Sequence, residues 1–114
     1  MKARDPNELL PLPTAWFHIL MALGEGERHG YGIMQEIANR THDKLRLGPG
    51  TLYAALKRLA GEGLVKECSE TAAATGDERR RVYRITPFGR QVATAEMERM
   101  ALLVRQARSV WREA

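Results

Sequence analysis

The chain lacks the features of several large classes of protein. It has one cysteine, Cys68, which excludes an internal disulfide bond. No apolar run approaches the roughly 20 residues of a membrane span, and the N-terminus has no secretory pattern, so we expect a cytoplasmic protein. Low-complexity tracts are absent, and 44% of the 114 residues are hydrophobic. These properties are typical of a globular protein of one domain.

Catalytic and metal-binding patterns are also absent from the sequence. It contains no nucleophile elbow, no phosphate-binding glycine loop after a strand and no suggestive pair of carboxylates. The spacings of His18, His29 and His42 match no compact set of metal ligands with Cys68. We therefore expect no enzyme activity, no cofactor and no metal. A redox role for Cys68 stays open, because a reactive thiol depends on neighbours that the sequence does not show.

Positive charge is concentrated in one part of the chain. Lysine and arginine number 18 against 14 acidic residues, giving a net charge of +4. The stretch 44–90 holds ten basic and five acidic residues and so carries +5 by itself. A basic region of this size is compatible with nucleic acid as a partner.

Three apolar stretches with helical spacing precede the middle of the chain. The first begins at Thr14 as N-cap, the second follows Gly30 and ends near Thr41, and Pro49 opens the third. In the third, four residues face inward: Leu52, Ala55, Leu56 and Leu59. The outward face carries Thr51, Ala54, Lys57 and Arg58, with Tyr53 at the boundary. A helix with one apolar face and one basic face can enter a DNA groove. The alternative is that the basic face is only exposed to solvent and has no binding role.

Two short strand-like runs, 64–70 and 79–86, bracket a stretch of small and polar residues at 71–78. The second run alternates as a half-buried strand does, and it opens with Arg79, Arg80 and Arg81. This arrangement predicts a hairpin wing with positive charge at its end.

A long helix closes the chain, with Thr86 as N-cap and Pro87 as its first residue. Its apolar residues recur every 3.5 positions, which predicts a narrow seam against one partner helix. One subunit offers no second long helix, so a second copy is the economical partner. Trp111, with Trp16 as a second candidate, could line a cavity for a flat apolar effector. The seam residues are Ala93, Met97, Met100, Val104, Ala107 and Trp111.

Several motifs together resemble the PadR family of transcriptional regulators. They are FHIL at 17–20, EGERHGYGIM at 25–34, LGPGTLY at 47–53, LKRL at 56–59, EGL at 62–64 and YRITPFGR at 83–90. The resemblance covers nearly the whole chain and indicates the short branch of the family, which has a single C-terminal helix.

The resemblance implies a mainly α fold with a small β-wing, that is, a winged helix-turn-helix followed by a long dimerisation helix. It divides the chain into an N-terminal arm (1–13), a DNA-binding domain (14–86) and the dimerisation helix (87–114). It aligns Thr51, Tyr53, Ala54, Lys57 and Arg58 with DNA-contacting positions. It also implies that Tyr31 and Arg79 to Arg81 contact the DNA backbone.

The function that we expect from these features is sequence-specific binding of a homodimer to a palindromic DNA operator. The resemblance adds that the regulator is usually a repressor released by a small effector. The alternative is a winged-helix module whose basic face docks an acidic protein.

Overall fold

The computed structural model describes residues 4–68 and 81–112. These residues form four α-helices, a short 3-10 helix and three strands. In chain order they are the 3-10 helix Pro6–Leu9, α1 Thr14–Ala22, β1 Arg28–His29, α2 Gly30–Arg40, α3 Pro49–Gly61, β2 Val65–Glu67, β3 Val82–Ile85 and α4 Pro87–Val110. The predicted class, mainly α with a small β-wing, is confirmed.

The starts of α3 and α4 follow the local sequence, whereas the start of α1 does not. Gly48 precedes Pro49 in extended conformation at the start of α3, and the Thr86 side chain caps α4 by accepting a hydrogen bond from the Gly89 N–H (2.9 Å). The expectation that Thr14 caps α1 is wrong. The Pro13 carbonyl already accepts bonds from the N–H groups of the first turn, so the helix begins one residue early and has no side-chain cap.

The strands form one antiparallel sheet in the order β1-β3-β2. Arg28 of β1 lies opposite Tyr83, and Val65 of β2 lies opposite Ile85. Strand β1 was not predicted, because it has only two residues and exists through its pairing with a distant part of the chain. It leads directly into α2, so the sheet holds the start of that helix.

One apolar core joins the first three helices to the sheet and to the beginning of α4. Its fully buried members include residues of α1, α2, α3 and α4: Ile19, Leu20, Ile33, Ile37, Leu52, Leu56, Leu59 and Val92. The predicted inner face of α3 is confirmed, since all four of its expected residues are buried. Burial of this face fixes which side of α3 points to solvent.

Helix α4 extends beyond that core. Its 24 residues correspond to a length of about 36 Å. Its first half packs against α1 and the N-terminal arm, whereas every residue from 101 to 112 except Ala107 is exposed. The second half of α4 therefore presents its side chains to solvent in a single chain. Within the described residues, no helix is long and apolar enough to cross a membrane.

Candidate nucleic-acid interface

The outward face of α3 is exposed along its length. Thr51, Ala54, Lys57 and Arg58 are all exposed, as their spacing predicts. Neither Lys57 nor Arg58 forms an ion pair with any residue in the parts of the chain that the structure describes. Their charges are therefore available to phosphate oxygens or to the acceptor atoms of guanine.

Tyr53 connects α3 to the beginning of α2. A Cβ atom built on Gly30 would lie 2.5 Å from the Tyr53 hydroxyl oxygen and 2.9 Å from Cζ of its ring. Only glycine allows the ring to come this close to the first turn of α2. Tyr53 thus anchors the two helices to each other from the edge of the exposed face. Gly30 and Tyr53 belong to two neighbouring motifs of the sequence, and no other sequence signal indicates their contact.

Tyr31 lies in the first turn of α2, and 60% of its surface is exposed. The free N–H groups at the beginning of a helix carry partial positive charge and bind anions. A phosphate that approached this end of α2 would meet both these groups and the phenol. The structure thus leaves Tyr31 accessible at the position where a backbone contact is expected.

The wing adds charge that is partly neutralised. Arg81 Nε lies 3.2 Å from a carboxylate oxygen of Glu67. The two side chains border a groove of about 560 Å³ between the wing and α3, which Tyr53, Lys57 and Tyr83 also line. Burial, together with the Glu67 charge, raises the pKa of Tyr83, so its hydroxyl stays protonated at neutral pH. Arg79 and Arg80 lie outside the described residues.

An exposed basic helix face beside a small antiparallel sheet agrees with the comparison to known proteins. The profile of the transcriptional regulator PadR-like family matches residues 19–95. The chain belongs to this family. Transcriptional regulator Rv3488 of Mycobacterium tuberculosis is 38% identical over 89 residues, which are 78% of each chain.

Solved structures support the same assignment. A transcriptional regulator from Clostridium thermocellum superposes with a TM-score of 0.69 at 29% identity, covering 86% of this chain and 89% of the other. A PadR family transcription regulator from hypervirulent Clostridium difficile has the same fold, with a TM-score of 0.69 at 22% identity over 89% of this chain and all of the other. The protein is thus a DNA-binding transcriptional regulator of the PadR family and not an enzyme.

The environment of Cys68 in this PadR-family chain favours the neutral thiol. Its Sγ lies 3.5 Å from the Val82 carbonyl oxygen, to which it donates. Burial, followed by the charge of Glu27, raises the pKa of the thiol above its usual value. A reactive cysteine needs the opposite shift, so the surroundings do not support the redox role that the sequence left open.

His29 and His18 lie in different environments. His29 occupies the N-cap position of α2, but its side chain makes no capping bond. His18, in α1, is partly buried and its Nδ1 has no partner among the described residues. No group of three potential metal ligands comes together in the part of the chain that the structure describes.

The predicted seam of α4 divides into two parts. Ala93 packs against the core of its own chain, so this first member is covered without a partner. Met97 and Val104 remain 54% and 50% exposed, and Trp111 is 77% exposed. Met100 and Ala107 are partly buried. Most of the seam is therefore accessible to another molecule.

Glu96 is a buried residue that sequence reasoning missed. Only 2% of its surface is exposed. One carboxylate oxygen accepts a hydrogen bond from the Leu12 N–H (2.7 Å), and the other pairs with the Arg99 guanidinium. The Arg99 contact, helped by the Leu12 N–H, lowers the pKa of Glu96 against the opposing effect of burial. A glutamate in a long polar helix gives no sequence signal of this role, because Leu12, whose N–H it binds, is 84 residues away.

The two tryptophans lie in different surroundings. Trp111 borders an open cavity of about 660 Å³ whose other lining residues are Arg105, Arg108, Ser109 and Arg112. Trp16 lies in α1 and is partly buried against the core. One chain does not place Trp16 in the cavity beside Trp111. A common effector pocket stays a prediction that only a second copy could complete.

Proposed function

We propose that the chain acts as a homodimer that recognises a palindromic operator, with α3 of each copy in a major groove. The observation that carries this proposal is the exposed face of α3, on which Lys57 and Arg58 have no described ion-pair partner. A basic helix face held rigidly by a buried opposite face meets the steric and electrostatic needs of groove binding.

Each proposed DNA contact has a chemical basis in its side chain. Lys57 and Arg58 would bind phosphate or guanine, and Thr51 and Tyr53 would reach phosphate or base edges from the same helix. Ala54 is small and exposed, and could contact a thymine methyl group. Tyr31 and the arginines at positions 79–81 would bind backbone phosphates, although Arg81 must first leave Glu67.

The proposed dimer rests on the accessible apolar side chains of α4. Met97, Val104 and Trp111 repeat at heptad spacing and are exposed in one chain. Burying them against the same face of a second copy would remove apolar surface from water. A two-fold arrangement would place the recognition helices about one turn of DNA apart.

We further propose that the dimer is a cytoplasmic repressor that a small apolar effector releases. Trp111 gives such a ligand a flat surface at the end of the seam, and Trp16 of either copy is the second proposed contact. A ligand that binds there could change how the two α4 helices pack, and with it the separation of the recognition helices.

The test begins with genomic fragments selected by the purified protein. Fluorescence anisotropy then compares a selected palindrome with a scrambled duplex of equal length. Wild type should prefer the palindrome, and its affinity should fall steeply with salt, by a log-log slope of about 0.9 for each phosphate contact. Equal affinity for both duplexes would contradict the proposal, and would be the result expected of a module that docks acidic proteins.

The variant for this test is Lys57→Ala with Arg58→Ala, which should weaken binding by roughly a hundredfold and reduce the salt slope. The matched control is Arg105→Ala with Arg112→Ala, which removes the same charge from two exposed positions, one in the second half of α4 and one just beyond its end. The control should bind within a few-fold of wild type. An equal loss in the two variants would mean that net charge, and not the α3 face, determines binding.

A further inference from the structure

Arg4, in the N-terminal arm, contacts the end of α3 and the beginning of α4 at the same time. Its guanidinium donates to the Glu62 carbonyl oxygen (2.6 Å) and to a Glu62 carboxylate oxygen (2.7 Å). It also lies 4.9 Å from the centre of the Phe88 ring, within the range of a cation–π interaction. Glu62 is the C-cap of α3 and Phe88 is the second residue of α4, so a single side chain spans both helices.

The place that Arg4 covers is a tightly bonded connection between the two helices. The Thr86 N–H donates to the Leu64 carbonyl oxygen (3.0 Å), and the Thr86 hydroxyl donates to the Gly63 carbonyl oxygen (2.6 Å). These bonds join the turn after α3 to the N-cap of α4. Arg4 closes the outer side of this connection, where a cation also suits the negative end of the α3 dipole.

The arm that carries Arg4 is itself fixed to α4. The 3-10 helix Pro6–Leu9 begins with an Asp5 cap and packs along α4. At the far end of the arm, Leu12 is buried and its N–H is bound by Glu96. The part of the arm after Arg4 is therefore fixed to α4 at two places, which limits the positions that the Arg4 side chain can adopt.

We infer that Arg4 is a positioning residue for DNA recognition, which holds the C-terminal end of α3 at a fixed angle to α4. This inference rests on the proposed function, in which α3 reads the operator and α4 joins the copies. Helix α3 has 13 residues and so is about 20 Å long. A small rotation at its anchored end therefore displaces its other end, and in a dimer it changes the separation of the two recognition helices.

Two variants distinguish positioning from a direct phosphate contact. Arg4→Ala should lower the affinity for the selected palindrome by roughly fivefold, given an ion pair and a cation–π contact that are both partly exposed. Glu62→Gln should also lower it, although it makes the protein more positive, but by a smaller factor, because Arg4 keeps its contacts with the Glu62 carbonyl oxygen and the Phe88 ring. If Arg4 instead bound phosphate, Glu62→Gln would leave binding unchanged or strengthen it, and Arg4→Ala would reduce the salt slope.

The double variant and a control complete the binding test. Arg4→Ala with Glu62→Gln should lose no more affinity than Arg4→Ala alone, because Arg4→Ala already removes the ion pair that Glu62→Gln removes. Arg40→Ala is the matched control, since it removes an arginine paired to a glutamate at 2.8 Å on α2, away from the connection. Palindromes with one base pair added or removed between the half-sites add a second readout. The Arg4 and Glu62 variants should discriminate less against them than wild type, whereas general destabilisation would weaken all sites equally.

Hydrogen exchange of the full chain without DNA separates this inference from the proposed function. Arg4→Ala should speed exchange of the amides at 62–64 by several-fold and leave those of α2 unchanged. Unchanged exchange at 62–64 would overturn the inference even if wild type binds its operator. Faster exchange together with no operator preference in wild type would instead overturn the proposed function and leave the connection as a property of the fold. Additive losses in the double variant would also contradict a shared role.

Discussion

Gly89→Ala should destabilise the protein, although alanine is the better helix former. Gly89 is buried in the first turn of α4, where its N–H binds the Thr86 side chain. A Cβ atom there would collide with the Leu64 carbonyl oxygen and lie 2.9 Å from Cγ1 of Ile85. The collision is with backbone, and that oxygen is already fixed by the Thr86 N–H, so no side-chain rotation can relieve it.

Two opposing effects set the size of the change. Replacing glycine by alanine inside a helix favours folding by about 1 kcal/mol. Overpacking typically costs about 1–3 kcal/mol, and moving Leu64 away would also weaken a backbone hydrogen bond that contributes about 1 kcal/mol. The net result is a loss of about 1–3 kcal/mol, equivalent to a Tm lower by roughly 4–13 °C in a domain of this size.

Urea unfolding followed by circular dichroism measures this loss, at one protein concentration because the stability of the proposed dimer would depend on concentration. Gly61→Ala is the matched control. Gly61 is the last residue of α3, and a Cβ there would meet nothing within 4 Å. That variant should be as stable as wild type or slightly more stable. A Gly89→Ala protein with wild-type stability would refute the steric reasoning, because it would mean that the connection between α3 and α4 can open without cost.

Two further predictions concern α4. Val104→Glu should dissociate the proposed dimer in sedimentation, since burying an unpaired charge costs several kcal/mol. The control is Leu102→Glu, at a residue that is 48% exposed on the opposite side of the helix, and it should leave the dimer intact. Equal effects of the two variants would argue against the seam. The lowered pKa of Glu96 predicts that its contribution to stability is fully present at neutral pH and is lost as the pH falls below about 4.5, the ordinary value for glutamate, through the lowered pKa. Glu96→Gln should weaken the fold at neutral pH and flatten that acid dependence in urea unfolding, and an unchanged pH profile would contradict a role for the carboxylate.

The elements that local pattern controls were predictable from the sequence. The two faces of α3 followed from apolar spacing, because the same four residues that repeat along the helix are the ones that the core buries. The start of α4 at Thr86 and Pro87 followed from capping chemistry, which depends on neighbouring residues alone. The DNA-contacting role of individual side chains stays a prediction.

Features that depend on distant partners were not predictable. Arg4 and Glu62 are 58 positions apart, and Leu12 and Glu96 are 84 positions apart. By itself, each of these residues has the sequence pattern of an ordinary surface or arm residue. Strand β1 has too few residues for an alternating pattern, and it is defined by Val82 and Tyr83 across the sheet. The heptad spacing of α4 could not reveal that Ala93 packs within its own chain.

Strand β3 links the positions of α2 and α3 through the sheet. It is the middle strand. Val82 and Tyr83 pair on one edge with β1, which runs into α2, and residues 83–85 pair on the other edge with β2, which follows α3. A shift of β3 by one residue pair would therefore displace α2 and α3, the two helices of the helix-turn-helix, at the same time. We therefore expect α2, α3 and the sheet to lose their structure together on heating, as one cooperative unit.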